Sequence, residues 1–434
     1  MRNPIKKASK WVRRNPTLTG VIILSVLVLV WVVYLWRKRA EVITTTAKTV
    51  TGSKYRIPAA KRTFDVTKVY KMMMLTDAEN WTNRMNVISA AGFDTVMLVV
   101  PIGETYTAGF DKYIEYANVA VNLGLNVVLK PWIIFLGKDL NADFTENEMQ
   151  TNSSGNRLFG SRYHLSLSSS KWSKVYDWIN RFKTAFQPFY DAGYVIACFP
   201  ANHSTGEFGY QLACFGDFSN PETIASNNLN RIGTNTLDYH RFQTLNLKNK
   251  LAGIASILSG WRVGFEAGSF YYGFHKFAAT FNYDEISNIP NVVWLKNNPI
   301  INTSKDFDAA LQYDWKQRHS GYYCTEWTNA DGATAESLAI HHRNTINQGG
   351  NLCSFAFHVP DANGGGAAWN MAKQVRQILI DSGDWNKPVQ SPARNGLLSY
   401  SLERIFNENG YDAIKAQFEG MINGGVLPNV RCTG

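Results

Sequence analysis

The chain has 434 residues, 45% hydrophobic and 18% charged, which is enough apolar sequence for one large domain or two average ones. Its net charge of +10 is unevenly distributed: residues 1–62 carry 14 lysines and arginines against one acidic residue, so the remainder carries −3. A basic arm ahead of a mildly acidic remainder argues against a nucleic-acid-binding groove and favours attachment to a membrane.

One long uncharged stretch follows the basic segment at residues 1–17. Leu18–Trp36 has no charged residue and, as a helix, is long enough to cross the roughly 30 Å hydrocarbon core of a bilayer. Trp31 and Tyr34 lie in its C-terminal half, as in aromatic belts. It is too long for the apolar region of a cleaved signal peptide, and no small-residue cleavage site follows it. We interpret residues 18–36 as an uncleaved signal anchor, with the following domain on the periplasmic or extracellular side.

The rest of the chain divides into three predicted parts. Residues 37–65 are rich in Thr, Lys, Ala and Ser with little periodicity, which is typical of a linker. Residues 66–385 are predicted to form the globular domain. Residues 386–434 are predicted to be a C-terminal extension that packs on or beside it.

The five cysteines show no CxxC spacing and no zinc pattern. Cys198, Cys324 and Cys353 lie in strand-like runs and are interpreted as buried thiols. A disulfide between Cys198 and Cys214 in an oxidising compartment stays open. The sequence predicts no metal site and no cofactor.

Eight short apolar runs follow one another along the predicted domain. Near-continuous apolar runs are typical of strands that are buried on both faces. The runs are Val69–Thr76, Thr95–Ile102, Asn126–Phe135, Tyr194–Phe199, Trp261–Phe270, Val292–Asn297, Tyr322–Trp327 and Leu352–His358.

Helix-like segments separate most of these runs, although the residues between the fifth and sixth runs make a poor helix. The segments are Glu79–Ala91, Phe110–Leu123, Lys171–Ala192, Leu237–Leu258, Asp306–His319, Ala335–Gln348 and Ala367–Ser382. Several end at a glycine just before the next strand, as in "SAAGFDTV" and "YDAGYVI". The alternation predicts an α/β fold, a single (β/α)8 TIM barrel preceded by one N-terminal transmembrane helix.

Active sites of such barrels lie at the C-terminal ends of the strands and in the loops that follow. The residues predicted there are carboxylates, amides, histidines and aromatics: Asp77, Trp132, Asn202, His203, Glu207, Glu266, Tyr271, Asn297, Glu326, Trp327 and His358. The sequence has no phosphate-binding glycine loop, no nucleophile elbow and no HExxH motif. Paired carboxylates with aromatic platforms suit the cleavage of sugars, which needs one protonated and one ionised carboxyl group.

Two short segments carry a resemblance to a known family. "HSTGEFGYQ" resembles the strand-four loop of family 42 β-galactosidases and, less closely, the corresponding loop of β-amylases. "YYCTEW" resembles the strand-seven nucleophile segment of the retaining (β/α)8 glycoside hydrolases of clan A. The resemblance implies that Glu207 is the acid/base and Glu326 the nucleophile. The sequence departs from the clan pattern at Gly206, where the clan has Asn, and at Phe357 and His358, where it has Trp.

Structural interpretations stand beside these functional ones. Glu207 could be a solvated loop residue, and Glu266 could form a buried ion pair with Arg262 or a neighbouring strand. His203 and His358 are interpreted as hydrogen-bonding groups rather than metal ligands. Trp132 and Trp327 are core residues or sugar platforms.

The sequence therefore predicts a membrane-anchored glycoside hydrolase with a carbohydrate substrate and no nucleic-acid partner. Its alternative is a catalytically inactive barrel, which would serve as a carbohydrate-binding or structural component of a membrane-associated assembly. The sequence does not indicate the sugar, the linkage or the oligomeric state.

Overall fold

The computed structural model describes residues 54–75, 80–133, 169–201, 248–268, 286–298, 320–326, 334–347, 349–355 and 359–390. The predicted site residues Glu266, Asn297 and Glu326 are described by their backbone positions in the strands. Eight parallel strands close into a barrel in chain order, which confirms the predicted eight-stranded fold.

The strands are β1 (Tyr70–Leu75), β2 (Thr95–Pro101), β3 (Asn126–Trp132), β4 (Val195–Ala201), β5 (Val263–Gly268), β6 (Val292–Asn298), β7 (Tyr322–Glu326) and β8 (Leu352–Ser354). The helices are α1 (Trp81–Ala90), α2 (Ile102–Ala108), α3 (Asp111–Asn122), α4 (Ser169–Asp191), α5 (Ala335–Asn347) and α6 (Ala367–Asp381), and residues 248–257 are also helical.

Most strands contribute to two apolar layers because their side chains alternate between the two faces of the sheet. On β1, Met73 and Leu75 belong to the large cluster between the strands and the outer helices. Met72 and Met74 belong to the second cluster, which fills the barrel interior. Burial on both faces explains why the strands read as continuous apolar runs rather than as alternating ones.

The predicted helix stops are confirmed. Gly92, Gly124, Gly193 and Gly260 follow helical residues with φ values of 75° to 87°, in the left-handed region that lets a helix end and the chain turn into the next strand.

The N-terminal end of the barrel is closed by aromatic rings. Phe64 stacks on Tyr70 with ring centroids 5.5 Å apart. It also makes edge contacts with Trp294 at 5.8 Å and Tyr322 at 5.0 Å. The Arg262 guanidinium lies 4.8 Å from the centroid of the Phe64 ring. This end therefore contains a packed apolar plug.

Residues 54–65, which we call the strap, lead to this plug along the outside of the barrel. The Asn118 side chain on α3 accepts a hydrogen bond from the Arg56 backbone N–H and donates one to the Lys54 carbonyl. Further along, the Arg62 backbone N–H donates to the Ala192 carbonyl, and its guanidinium donates to the Gly124 carbonyl. The strap lies within the segment that composition predicts to be a linker.

Within the described ranges, no helix is long and apolar enough to cross a membrane. The predicted span Leu18–Trp36 and residues 391–434 lie outside these ranges. The first residues of the predicted C-terminal extension contact the barrel, since Val389 N–H donates to the Thr67 carbonyl and Gln390 N–H to the Ile346 carbonyl.

Candidate active site

The C-terminal ends of the strands define the mouth of the barrel, where three predicted site residues lie close to strand ends. Trp132 is the last residue of β3 and Glu326 the last of β7, and Asn297 is the penultimate residue of β6. Glu266 lies two residues before the end of β5. The barrel therefore brings these four positions to one end of the sheet.

The positions of Glu266 and Glu326 belong to the interior face of the barrel. A Cβ built at Gly264 would lie 2.6 Å from side-chain atoms of both Phe199 and Trp294, so β5 faces the interior at that position. Cys324 on β7 belongs to the interior cluster. Glu266 and Glu326 each lie two residues further along their strand and so share that face.

Two lysines that the sequence interpretation overlooked occupy the same face. Lys130 follows the interior residue Val128 by two positions and is 6% exposed, and Lys296 follows the interior residue Trp294 by two and is 0% exposed. Neither lysine is without an interaction partner. A buried ammonium is costly unless anionic or polar groups surround it. The signal in the sequence was a lysine inside an apolar run, in "NVVLKPW" and "VVWLKN".

Strand pairing places Lys296 between the two glutamate positions. Lys296 is the register partner of Glu266 on β5 and of Cys324 on β7. Glu326 pairs with Ser354 on β8. The Ser354 side chain is fully buried, and its Oγ has no hydrogen-bond partner among the described residues.

Trp132 lies at the mouth of the barrel, and Arg262 lies at the opposite end. Trp132 is partly buried and packs against the interior cluster at the end of β3, where Pro101 is its register partner. The structural alternative for Glu266, a buried ion pair with Arg262 or a neighbouring strand, stays a prediction. Arg262 donates to the carbonyls of Ile196 and Val195 and lies against the plug at the other end of the barrel.

The remaining predicted site residues lie outside the described ranges. They are Asp77, Asn202, His203, Glu207, Tyr271, Trp327 and His358. Among the described residues, no group of three His, Cys, Asp or Glu side chains could hold a metal ion.

The predicted buried thiols are confirmed: Cys198, Cys324 and Cys353 are free and buried. Burial raises the pKa of the Cys198 thiol well above its usual value, and it raises that of Cys353 to about 12. Neither of these two is a reactive thiolate at neutral pH.

A second polar cluster lies on the outer face of the barrel, away from the mouth. Lys71 is 4% exposed, and burial lowers the pKa of its ammonium although Asp94 opposes this effect. Burial also lowers the pKa of His342 to about 3, and the charges of Lys71 and His341 act in the same direction. A buried imidazole with a pKa of about 3 is neutral at neutral pH, so His342 fits a structural role in the wall of the barrel better than one in proton transfer.

The chain was compared with known families, curated proteins and solved structures. No family model and no curated protein matches the chain. Among solved structures, a β-galactosidase from a Rahnella species matches with a TM-score of 0.56 and 10% identity, over 76% of this chain and 58% of that one. A GH30 endoxylanase from Clostridium papyrosolvens matches with a TM-score of 0.38 and 17% identity, over 68% of this chain and 66% of that one.

The comparison with the β-galactosidase shows a shared (β/α)8 barrel fold. This chain spans 58% of the length of that protein. At 10% identity the likeness concerns the fold, so the activity has to be argued from the site.

Proposed function

We propose that this chain is a membrane-anchored glycoside hydrolase that cleaves O-glycosidic bonds of a poly- or oligosaccharide with two carboxylates. The observation that supports this proposal most is the position of Glu326, the last residue of β7 on the interior face at the barrel mouth. A carboxylate at the C-terminal end of a barrel strand is placed for catalysis rather than for stability.

In the proposed retaining reaction, Glu326 is the nucleophile and Glu207 is the acid/base. The Glu207 carboxyl gives its proton to the glycosidic oxygen while the Glu326 carboxylate attacks the anomeric carbon and the bond to the leaving group breaks. The Glu207 carboxylate then takes a proton from a water molecule, whose oxygen attacks the same carbon and releases Glu326.

The other predicted residues have binding roles in this proposal. Trp132 offers a partly buried ring at the mouth, on which the apolar face of a pyranose can stack. Hydrogen bonds to sugar hydroxyls are assigned to the polar members, which are Asp77, Asn202, His203, Glu266, Tyr271, Asn297 and His358, and Trp327 is assigned to a second platform.

The buried lysines at the mouth favour a second candidate function. Carboxylates that serve only to balance Lys130 and Lys296 would make the barrel a catalytically inactive carbohydrate-binding or structural component. The two candidates differ in whether the isolated protein breaks a glycosidic bond.

Substitution of the two proposed carboxylates tests the activity. In a screen of aryl glycosides and oligosaccharides, Glu326→Gln should abolish cleavage and leave sugar binding nearly intact, because the amide keeps the shape but cannot attack. Glu207→Gln should slow oligosaccharides by roughly 10²–10⁴-fold and should slow aryl glycosides with good leaving groups much less.

The control is Glu115→Gln, an exposed carboxylate on α3 that pairs with Arg56 of the strap. Its rates should equal those of the unaltered protein. Normal rates in Glu326→Gln together with an inactive Glu266→Gln would place the nucleophile on β5 instead. A protein that binds sugars and cleaves none would establish the inactive alternative.

The membrane anchor is tested by deletion. Removal of residues 1–40 should give a soluble, folded protein, because the long apolar span and most of the excess positive charge lie there. Fractionation of the full chain and the deletion variant in detergent-free buffer measures this. A deletion variant that still sediments with membranes would mean that another part of the chain contacts the bilayer.

A further inference from the structure

We propose that Lys296 is a positioning residue, a shared cation on β6 that keeps Glu266 and Glu326 ionised at the same time. The role of Glu326 as nucleophile rests on the proposed function. The ion pairing itself is a property of the folded chain and can be measured without any activity.

The strand order puts Lys296 within reach of both carboxylate positions. β6 lies between β5 and β7, and Glu266 is the direct register partner of Lys296. Glu326 lies two residues beyond Cys324, the register partner of Lys296 on β7, and is therefore a diagonal neighbour. Diagonal neighbours are about 7–8 Å apart in a sheet, which a side chain as long as lysine can span.

The charges of these positions complement one another. Two carboxylates on the interior face of neighbouring parts of the barrel repel, and without a cation one of them would take up a proton. Lys296 is 0% exposed, so solvent cannot stabilise its ammonium. One buried cation between two carboxylate positions satisfies both requirements.

The other groups on the interior face near the mouth add little competing charge. The second cation is Lys130 on β3, which is not a neighbour of β7 in the barrel. The interior positions of the remaining described strands are the uncharged residues Met74, Val99, Phe199, Cys324 and Ser354. Lys296 is therefore the cation whose strand borders both glutamates.

The first experiment measures the pairing by urea unfolding of the full-length chain. Lys296→Met should destabilise the protein because it leaves two carboxylates without their shared cation. Adding Glu326→Gln, or separately Glu266→Gln, to Lys296→Met should restore part of the lost stability. Additive losses in both double variants would overturn the proposal, and recovery with Glu266→Gln alone would overturn the assignment of Lys296 to Glu326.

The second experiment measures the pH dependence of cleavage. Activity needs ionised Glu326, so the acidic limb of the profile follows its pKa. Loss of the cation raises that pKa, and Lys296→Met should move the acidic limb to higher pH by roughly 1–3 units. The control is Lys71→Met, which removes another buried lysine, 4% exposed, from the outer face of β1 and should leave the limb in place.

The two experiments separate this proposal from the proposed function. Recovery in both double variants without any glycosidase activity would uphold the shared cation and reject the hydrolase. Cleavage with an unmoved acidic limb in Lys296→Met would uphold the hydrolase and reject the shared cation.

Discussion

The two ends of the barrel are built from the same eight strands and differ completely in chemistry. At the N-terminal end, Phe64 closes the barrel against Tyr70, Trp294 and Tyr322. At the C-terminal end, the interior positions carry Lys130, Lys296 and the two glutamates. A few residues along one strand, as from Trp294 to Lys296, separate a packed apolar interior from a charged one.

This difference indicates that one end of the barrel contributes stability and the other carries the groups for chemistry. The aromatic end contributes apolar burial and closes the barrel, while the charged end is costly to bury and is retained where chemistry can use it. Changes at the aromatic end and in the barrel wall should therefore lower stability and leave activity per folded molecule unchanged, whereas changes at the charged end should alter activity.

The largest expected effect is the loss of stability at acidic pH caused by protonation of His342 in the barrel wall. His342 has a pKa of about 3 in the folded chain and an ordinary value near 6.5 when unfolded, so the unfolded state binds more protons between these values. Stability is complete above about pH 6.5 and falls as the pH drops towards 3, by up to about 5 kcal/mol. Urea unfolding of the unaltered protein and His342→Phe between pH 7.5 and 4 measures this.

In His342→Phe the dependence of stability on pH over that window should be much weaker, because the ring no longer titrates. Above pH 7 the two slopes should coincide. If stability depends on pH equally in the unaltered protein and in His342→Phe, acid destabilises the protein through groups other than His342.

The next effect tests the aromatic end. Phe64→Ala should lower the free energy of unfolding by about 3 kcal/mol, the lower end of the range for core phenylalanines, because the ring is partly exposed. Activity per folded molecule should stay unchanged. A variant that keeps its stability but loses activity would show that the two ends are not independent.

The smallest expected effect is the stability that the contact between the strap and Gly193 contributes beyond the strain of a positive φ. Gly193 and Gly260 both have positive φ, so alanine is strained by about 1 kcal/mol at either position. A Cβ at Gly193 would also lie 1.8 Å from the Arg62 carbonyl oxygen, whereas one at Gly260 meets no atom within 4 Å. Gly193→Ala should therefore cost about 1–3 kcal/mol more than Gly260→Ala in urea unfolding. Equal losses would mean that the strap contributes little stability.

Most of the barrel could be predicted because its strands are buried on both faces and its helices stop at glycines. The predicted and observed strands agree to within a few residues, as for Thr95–Ile102 against Thr95–Pro101. The short helix α2 follows β2 directly and was not predicted, since seven residues carry too little periodicity. The order of the strap also escaped prediction, because it depends on backbone hydrogen bonds to α3 and Ala192 rather than on composition.

The candidate site was only partly predictable for a different reason. In a run that is apolar on both faces, alternation does not reveal which residues face the barrel interior. The sequence interpretation therefore assigned no role to Lys296 in "VVWLKN", and the pairing of β5, β6 and β7 placed it between the two glutamate positions. Carboxylates after strand ends can be found by counting along the chain, whereas a cation on a neighbouring strand requires the register.

The strap has a consequence for biosynthesis. Phe64 leaves the ribosome early, but its partner Trp294 follows about 230 residues later, which at about 5–20 residues per second is a delay of roughly 10–50 s. Tyr322 is translated later still. The contacts of Phe64 with Trp294 and Tyr322 can therefore form only late in translation, and until then Tyr70 is the one of these three ring partners that Phe64 can reach.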